Sequence, residues 1–117
     1  AIVDCTKAIR LNSNDAVKYN IRGSVYDDKG DYAKAIADYT EAIRLQLADP
    51  ESYNNRGRGY GDTGDYDKAI ADYTESIRLD PTDSVPYHNR GLAYQTIGEK
   101  AKADADFAKA KELESDK

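Results

Sequence analysis

At 117 residues the chain fits one compact domain or a short solenoid. A third of it is charged, the formal net charge is -5, and this balance disfavours sequence-independent binding to nucleic-acid phosphates. Ten Tyr and a 39% hydrophobic fraction argue against disorder, no apolar run approaches a membrane span, and the sequence contains no basic-then-apolar signal-peptide pattern. The single Cys5 excludes an intramolecular disulfide framework and is compatible with a reducing compartment such as the cytoplasm.

The chain begins inside a helical pattern. "AIVDCTKAIRLN" at the N-terminus matches "AIADYTEAIRLQ" (35–46) and "AIADYTESIRLD" (69–80). Residues 1–14 therefore read as the second half of a truncated unit. Three whole units follow, over 15–49, 50–83 and 84–117, within a single domain of 1–117. A self-similarity of period 34 runs through them: Tyr19, Tyr53 and Tyr87; Arg22, Arg56 and Arg90; Gly23, Gly57 and Gly91; Gly30, Gly64 and Gly98; Ala35, Ala69 and Ala103. Tyr39, Tyr73 and Phe107 share one aromatic slot.

Each unit holds two predicted helices. The first covers 16–29, 51–63 and 84–97; the second covers 32–46, 66–80 and 100–115. Gly30 and Gly64 suit a helix C-terminus, and Asp31 and Asp65 suit the N-cap that follows. Links of two to five residues force antiparallel neighbours. The small residues at Gly23, Gly57, Gly91, Ala35, Ala69 and Ala103 are expected contact points, with Tyr and Ile filling the space around them. Asp4, Asp38, Asp72 and Asp106 recur in register with the repeated Arg. This predicts an Arg–Asp ladder, within a unit or to the preceding one.

Residues 59–64, "GYGDTG", spell G-x-G-x-x-G, a pattern known for cradling a pyrophosphate. Register gives another origin. Gly64 ends a helix, as Gly30 and Gly98 do, and Gly59 and Gly61 are local substitutions in slots where the other units carry Val25 and Ala93, Asp27 and Gln95. No strand precedes the motif, as a dinucleotide site requires. Two added glycines in a helix interior, each costing about 1 kcal/mol relative to Ala, make this the softest helix of the array.

The ends of the array differ. In the last helix Lys100, Asp104 and Lys111 replace residues that are apolar in the earlier units, a polar face of the kind a terminal unit needs. The N-terminal half-unit keeps Ile2, Ala8 and Ile9, which leaves an apolar face for another chain or for further residues of the same protein. Cys5 lacks a neighbouring His and reads as packing.

A 34-residue helix-turn-helix with this spacing resembles the tetratricopeptide repeat (TPR) family, in the bacterial-type variant with Tyr-Asn-x-Arg-Gly wording; Arg-Gly stands where the family has Leu-Gly. The resemblance covers the whole chain and implies an all-α, right-handed superhelical solenoid. It implies a non-enzymatic protein–protein interaction scaffold that takes a partner's peptide or helix in a concave groove lined by the first helices. The alternative is a structural module that self-associates through the N-terminal half-unit.

Carried over by position, the groove residues are Asn20, Ser24, Asp27 and Asp28 with Val17 in the first whole unit. The second unit supplies Asn54, Asn55, Arg58 and Asp62 with Glu51. The third supplies His88, Asn89 and Gln95 with Val85, Leu92 and Thr96. The family's cationic clamp for a C-terminal carboxylate would place lysines at 20 and 85, asparagines at 24 and 55 and an arginine at 89; only Asn55 matches. Asp27, Asp28 and Asp62 point instead to a polar or basic protein partner. The lone His88 has no convergent nucleophile or metal ligands, and "DTGDYD" lacks the ligand spacing of a calcium loop, so no catalytic constellation, metal or cofactor is expected.

Overall fold

A computed structural model of the chain describes residues 16–46 and 48–115. It consists of six α-helices in chain order: α1 (Ala16–Asp28), α2 (Tyr32–Leu45), α3 (Pro50–Asp62), α4 (Tyr66–Leu79), α5 (Ser84–Thr96) and α6 (Lys100–Ser115). Every described boundary falls within about one residue of the position that the hydrophobic pattern predicts. The expectations for the half-unit at 1–14, including Asp4 and Cys5, lie outside the described residues.

Helices α1 and α2, α3 and α4, and α5 and α6 pack as pairs, and α2 on α3 and α4 on α5 join the pairs. The first helices also touch one another, α1 to α3 and α3 to α5, whereas α2 and α4 make no such contact. One layer is thus drawn together and the other splayed. The array curves with α1, α3 and α5 on its inner side. Its extents of 46 × 28 × 21 Å are those of an elongated stack.

The pairing rests on a glycine-to-ring contact that repeats. A Cβ placed on Gly23, Gly57 or Gly91 would stand 2.7 Å from a ring carbon of Tyr39, Tyr73 or Phe107 respectively. The aromatic slot of each second helix therefore lies on a bare backbone patch of its first helix. Ala35, Ala69 and Ala103 are buried beside it.

Turns between paired helices end in the same way. Gly30, Gly64 and Gly98 have φ of 80°, 85° and 85°, and no described non-glycine residue has positive φ. The amide after each glycine reaches back to a tyrosine carbonyl, Asp31 to Tyr26 at 2.9 Å, Asp65 to Tyr60 at 2.9 Å and Glu99 to Tyr94 at 2.8 Å. This is the 6→1 bond of a Schellman stop, which needs a left-handed residue at that point.

One cap differs from expectation. Asp31 accepts the Lys34 amide at 3.4 Å, but the Asp65 carboxylate makes no cap hydrogen bond. Each carboxylate also lies 3.6 Å from the ammonium of the lysine three residues on, so that contact is common to both sites and the cap at Asp31 is itself long. The stronger caps are at the links between units. Asp49 accepts the Glu51 amide and Asp83 the Val85 amide, both at 3.0 Å.

The Arg–Asp ladder runs within units. Arg22 forks onto Asp38, Arg56 onto Asp72 and Arg90 onto Asp106, each through Nε and Nη2. Each guanidinium lies about one ring-contact distance from two tyrosines of its own helix, for example 5.8 and 5.7 Å from the Tyr53 and Tyr60 centroids. The third nitrogen reaches the preceding unit: Arg56 Nη1 donates to Thr40 at 3.3 Å and Arg90 Nη1 to Thr74 at 3.2 Å. The repeated Arg thus ties two helices of one unit and the second helix of the unit before.

Candidate functional site

The inner face carries three neighbouring hollows. The first lies between α1 and α3, bordered by Val17, Asn20, Ile21, Ser24, Asp49, Glu51, Asn55 and Arg58. The second lies between the starts of α3 and α5, bordered by Asp49, Pro50, Glu51, Asn54, Asn55, Arg58, Asp80, Asp83 and Val85. The third lies between the ends of the same helices, bordered by Arg58, Gly61, Asp62, Tyr66, Tyr73, Asn89, Leu92, Ala93 and Thr96. Arg58 borders all three and sits at the centre of the groove.

Arg58 is the one basic residue among these linings. Its Nη2 lies 3.3 Å from Asp27, whose side chain is only 7% exposed. Asp62 feels the same guanidinium without forming an ion pair or hydrogen bond with it. Asp62 is exposed as a residue, but partial desolvation of its carboxyl, followed by the like charge of Asp27, shifts it upward, and Arg58 offsets part of this. Beneath them stand two tyrosines. Burial pushes the Tyr39 hydroxyl up to about 12, with Asp27 adding to the effect. Its oxygen is buried; the Ser24 hydroxyl is near enough to pull it slightly downward, but not in hydrogen-bond geometry. Burial raises Tyr73 further still, against the opposing charge of Arg58.

Several asparagines expected in the groove are committed to the scaffold. Asn20 donates to Ser52 Oγ at 2.8 Å and to Asp49 at 3.3 Å, which joins the first unit to the second. Asn54 is buried and accepts from Asn89 Nδ2 at 3.2 Å, which joins the second to the third. Asn55 borders two hollows and makes no side-chain hydrogen bond with described residues. Ser24, Arg58, Asp62 and Asn89 also border the hollows, and Asp27 is held beside them by Arg58.

Asp28, His88 and Gln95 border none of the three hollows. Asp28 is exposed as the last residue of α1. On α5 the groove-facing stripe is Val85, Asn89, Leu92, Ala93 and Thr96, at helical spacing. His88 and Gln95 fall to one side of that stripe, and the His88 ring meets the Phe107 ring at 5.5 Å. Positional transfer missed Ile21, Gly61, Tyr66 and Tyr73. The tyrosines come from second helices, which a groove defined by first helices leaves out. Gly61 opens the groove floor, whereas Gly59 is buried, with a would-be Cβ 3.0 Å from Ile36. The helix α3 runs unbroken through the G-x-G-x-x-G stretch as far as Asp62.

Among the described residues no group of three or more His, Cys, Asp or Glu side chains is placed to hold a metal ion, and no helix is long and apolar enough to cross a membrane. Family models of the tetratricopeptide repeat match residues 50–83 and 72–105, and a model of the TPR repeat matches residues 23–62. No curated protein matches the sequence. Among solved structures, a crystal structure of MamA superposes with a TM-score of 0.93 at 31% identity, covering 98% of this chain and 67% of that one. A second MamA structure is covered over 62% of its length, so the chain spans about two thirds of these relatives. The second TPR of Spaghetti (RPAP3), bound to the HSP90 peptide SRMEEVD, superposes with a TM-score of 0.83 at 29% identity, over 91% of this chain and 98% of that one. The TPR2B domain of yeast Sti1, in a pHsp70 complex, gives a TM-score of 0.85 at 27% identity, over 86% of this chain and 81% of that one. Repeat period, helix pairing and these matches agree: the chain belongs to the tetratricopeptide repeat family.

Proposed function

We propose that the chain is a non-enzymatic protein-interaction module that takes an extended segment or a helix of a partner protein along the groove of α1, α3 and α5. One observation carries this. Among the described residues, of five large apolar side chains that stand exposed, four border the groove: Val17, Ile21, Val85 and Leu92. They sit on its two walls, α1 and α5, and flank a polar floor on α3. Exposed apolar side chains gathered around one concavity mark an interaction surface, whereas scattered ones need no explanation. Asn55 and Arg58 stand between those walls with donors that a peptide backbone can meet.

The related TPR structures of RPAP3 and Sti1 hold chaperone peptides, which supports a peptide as occupant. The charge of this groove favours a different kind of peptide. Asp27, Asp49, Glu51, Asp62, Asp80 and Asp83 surround a single Arg58. An acidic tail would meet repulsion there, and a basic segment would be drawn in. The test is a pull-down with the intact chain and with Asn55→Ala and Arg58→Ala. Weaker capture is expected from the folded Asn55→Ala variant, whereas Arg58→Ala, which removes the one cation among these acids, should strengthen capture of a basic segment. Unchanged capture would place binding elsewhere.

A further inference from the structure

We infer that the hollow between the ends of α3 and α5 is an anchor pocket for one basic side chain of the partner, with Asp62 as its counter-ion. This rests on the groove reading above and deepens it. The hollow encloses about 270 Å³, below the roughly 300–1,000 Å³ of small-molecule sites and suited to a single long side chain. Its wall is graded. Leu92, Ala93 and the ring of Tyr66 offer an apolar lining for a methylene stem. Its polar lining is Asp62, Tyr73, Asn89 and Thr96, with Arg58, already paired to Asp27, at the edge it shares with the other hollows.

Two of these polar groups, Asp62 and Tyr73, lack a partner. Asp62 makes no ion pair or hydrogen bond with any described residue. Tyr73 is only 4% exposed, yet its hydroxyl makes no side-chain hydrogen bond and lies 3.8 Å from where a Gly61 Cβ would stand, at the hollow's wall. Unlike that of Tyr39, this hydroxyl is not sealed from solvent, so it opens towards the hollow that its residue lines. The local charge also asks for a cation. Asp27 and Asp62 share one Arg58, which leaves a net single negative charge. Two helices end at this hollow, α3 at Asp62 and α5 at Thr96, against one that begins there, α4 at Tyr66. Helix C-termini favour cations. A partner carboxylate could reach Arg58 only beside the Asp27 carboxylate it already holds and the neighbouring Asp62.

The test uses the intact chain as bait for a displayed random library of peptides about twelve residues long, roughly 40 Å when extended. A selected peptide is then synthesised with its basic residue intact and with that residue replaced by norleucine. Affinities are measured against the wild type, Asp62→Asn, Tyr73→Phe and Ile21→Glu. Selected peptides are expected to share a Lys or Arg position. Asp62→Asn should weaken the basic peptide on the order of tenfold while leaving the norleucine peptide nearly unchanged. Selection with no shared basic position, no selection at all, or an equal effect of Asp62→Asn on both peptides would overturn the anchor. Ile21 lies on α1, outside this hollow. If Ile21→Glu abolishes binding while Asp62 shows no coupling, the anchor fails and the groove stands. If neither substitution matters, the groove reading fails with it.

Discussion

Arg56 and Asp72 form a two-bond fork across α3 and α4, Nε to Oδ2 and Nη2 to Oδ1, both at 2.8 Å. The carboxylate side chain is 7% exposed and the guanidinium 19%, so neither is well hydrated. A surface pair would contribute little. Here removal of one partner strands the other in a poorly solvated place. We expect Arg56→Ala and Asp72→Ala each to cost about 2–4 kcal/mol in urea unfolding. The double mutant should cost clearly less than the sum. Strict additivity would show that the two charges act independently.

Two glycines four residues apart on α3 should respond in opposite directions. A Cβ on Gly57 would lie 2.7 Å from Tyr73 Cε1 and 3.2 Å from the Ala69 carbonyl, so Gly57→Ala should destabilise by about 1–3 kcal/mol. A Cβ on Gly61 meets only the Tyr73 hydroxyl at 3.8 Å. Gly61→Ala should therefore stabilise by about 0.5–1 kcal/mol through helix propensity. Thermal unfolding of the two variants checks both signs. A loss at Gly61 would mean that α3 is not a regular helix there.

Tyr39 and Tyr73 couple stability to alkaline pH. Burial raises both hydroxyls above the ordinary value of about 10, Tyr39 to about 12. The unfolded chain releases these protons first. Their contribution is therefore complete below pH 10 and lost as pH rises through 10 towards 12. Absorbance at alkaline pH should show the Tyr39 and Tyr73 hydroxyls ionising together with unfolding. Tyr39→Phe should remove part of the pH dependence. It should also raise neutral stability by about 1 kcal/mol, since the lost hydroxyl is buried without a partner and Phe107 already fills the same slot in the third unit.

Asp49 does three jobs at the first link. It caps α3 through the Glu51 amide and accepts from both Ser52 Oγ and Asn20 Nδ2. Asp49→Ala should cost about 1–2 kcal/mol. The loss should appear as earlier exchange of α1 and α3 amides, while those of α5 and α6 stay protected.

The fold was legible because each unit repeats its own evidence. A single Tyr19 or Gly23 says little, but three copies at a fixed spacing define a register, and register locates helices and turns. The pairing of Arg56 with Asp72 rather than with the preceding unit was not legible. Both choices satisfy the same period, and helix packing decides between them. The groove was legible only in part. Position marks Asn20 and Asn54, and both border hollows, but that their side chains also bond Ser52 and Asn89 across units is not readable from position. Tyr73 reaches the hollow from the second layer, past the bare backbone of Gly57 and Gly61, which no linear spacing reveals. Ile21 was legible from register, since it shares the slot of the groove residues Asn55 and Asn89, but its apolar character set it apart from them.

The most direct test of the groove is backbone amide NMR of the intact chain titrated with a library-selected peptide. The account predicts that shifted amides trace α1, α3 and α5, centred on Asn55 and Arg58, with α2 and the outer side of α4 and α6 unmoved. Shifts confined to α2, α4 and α6 would contradict it.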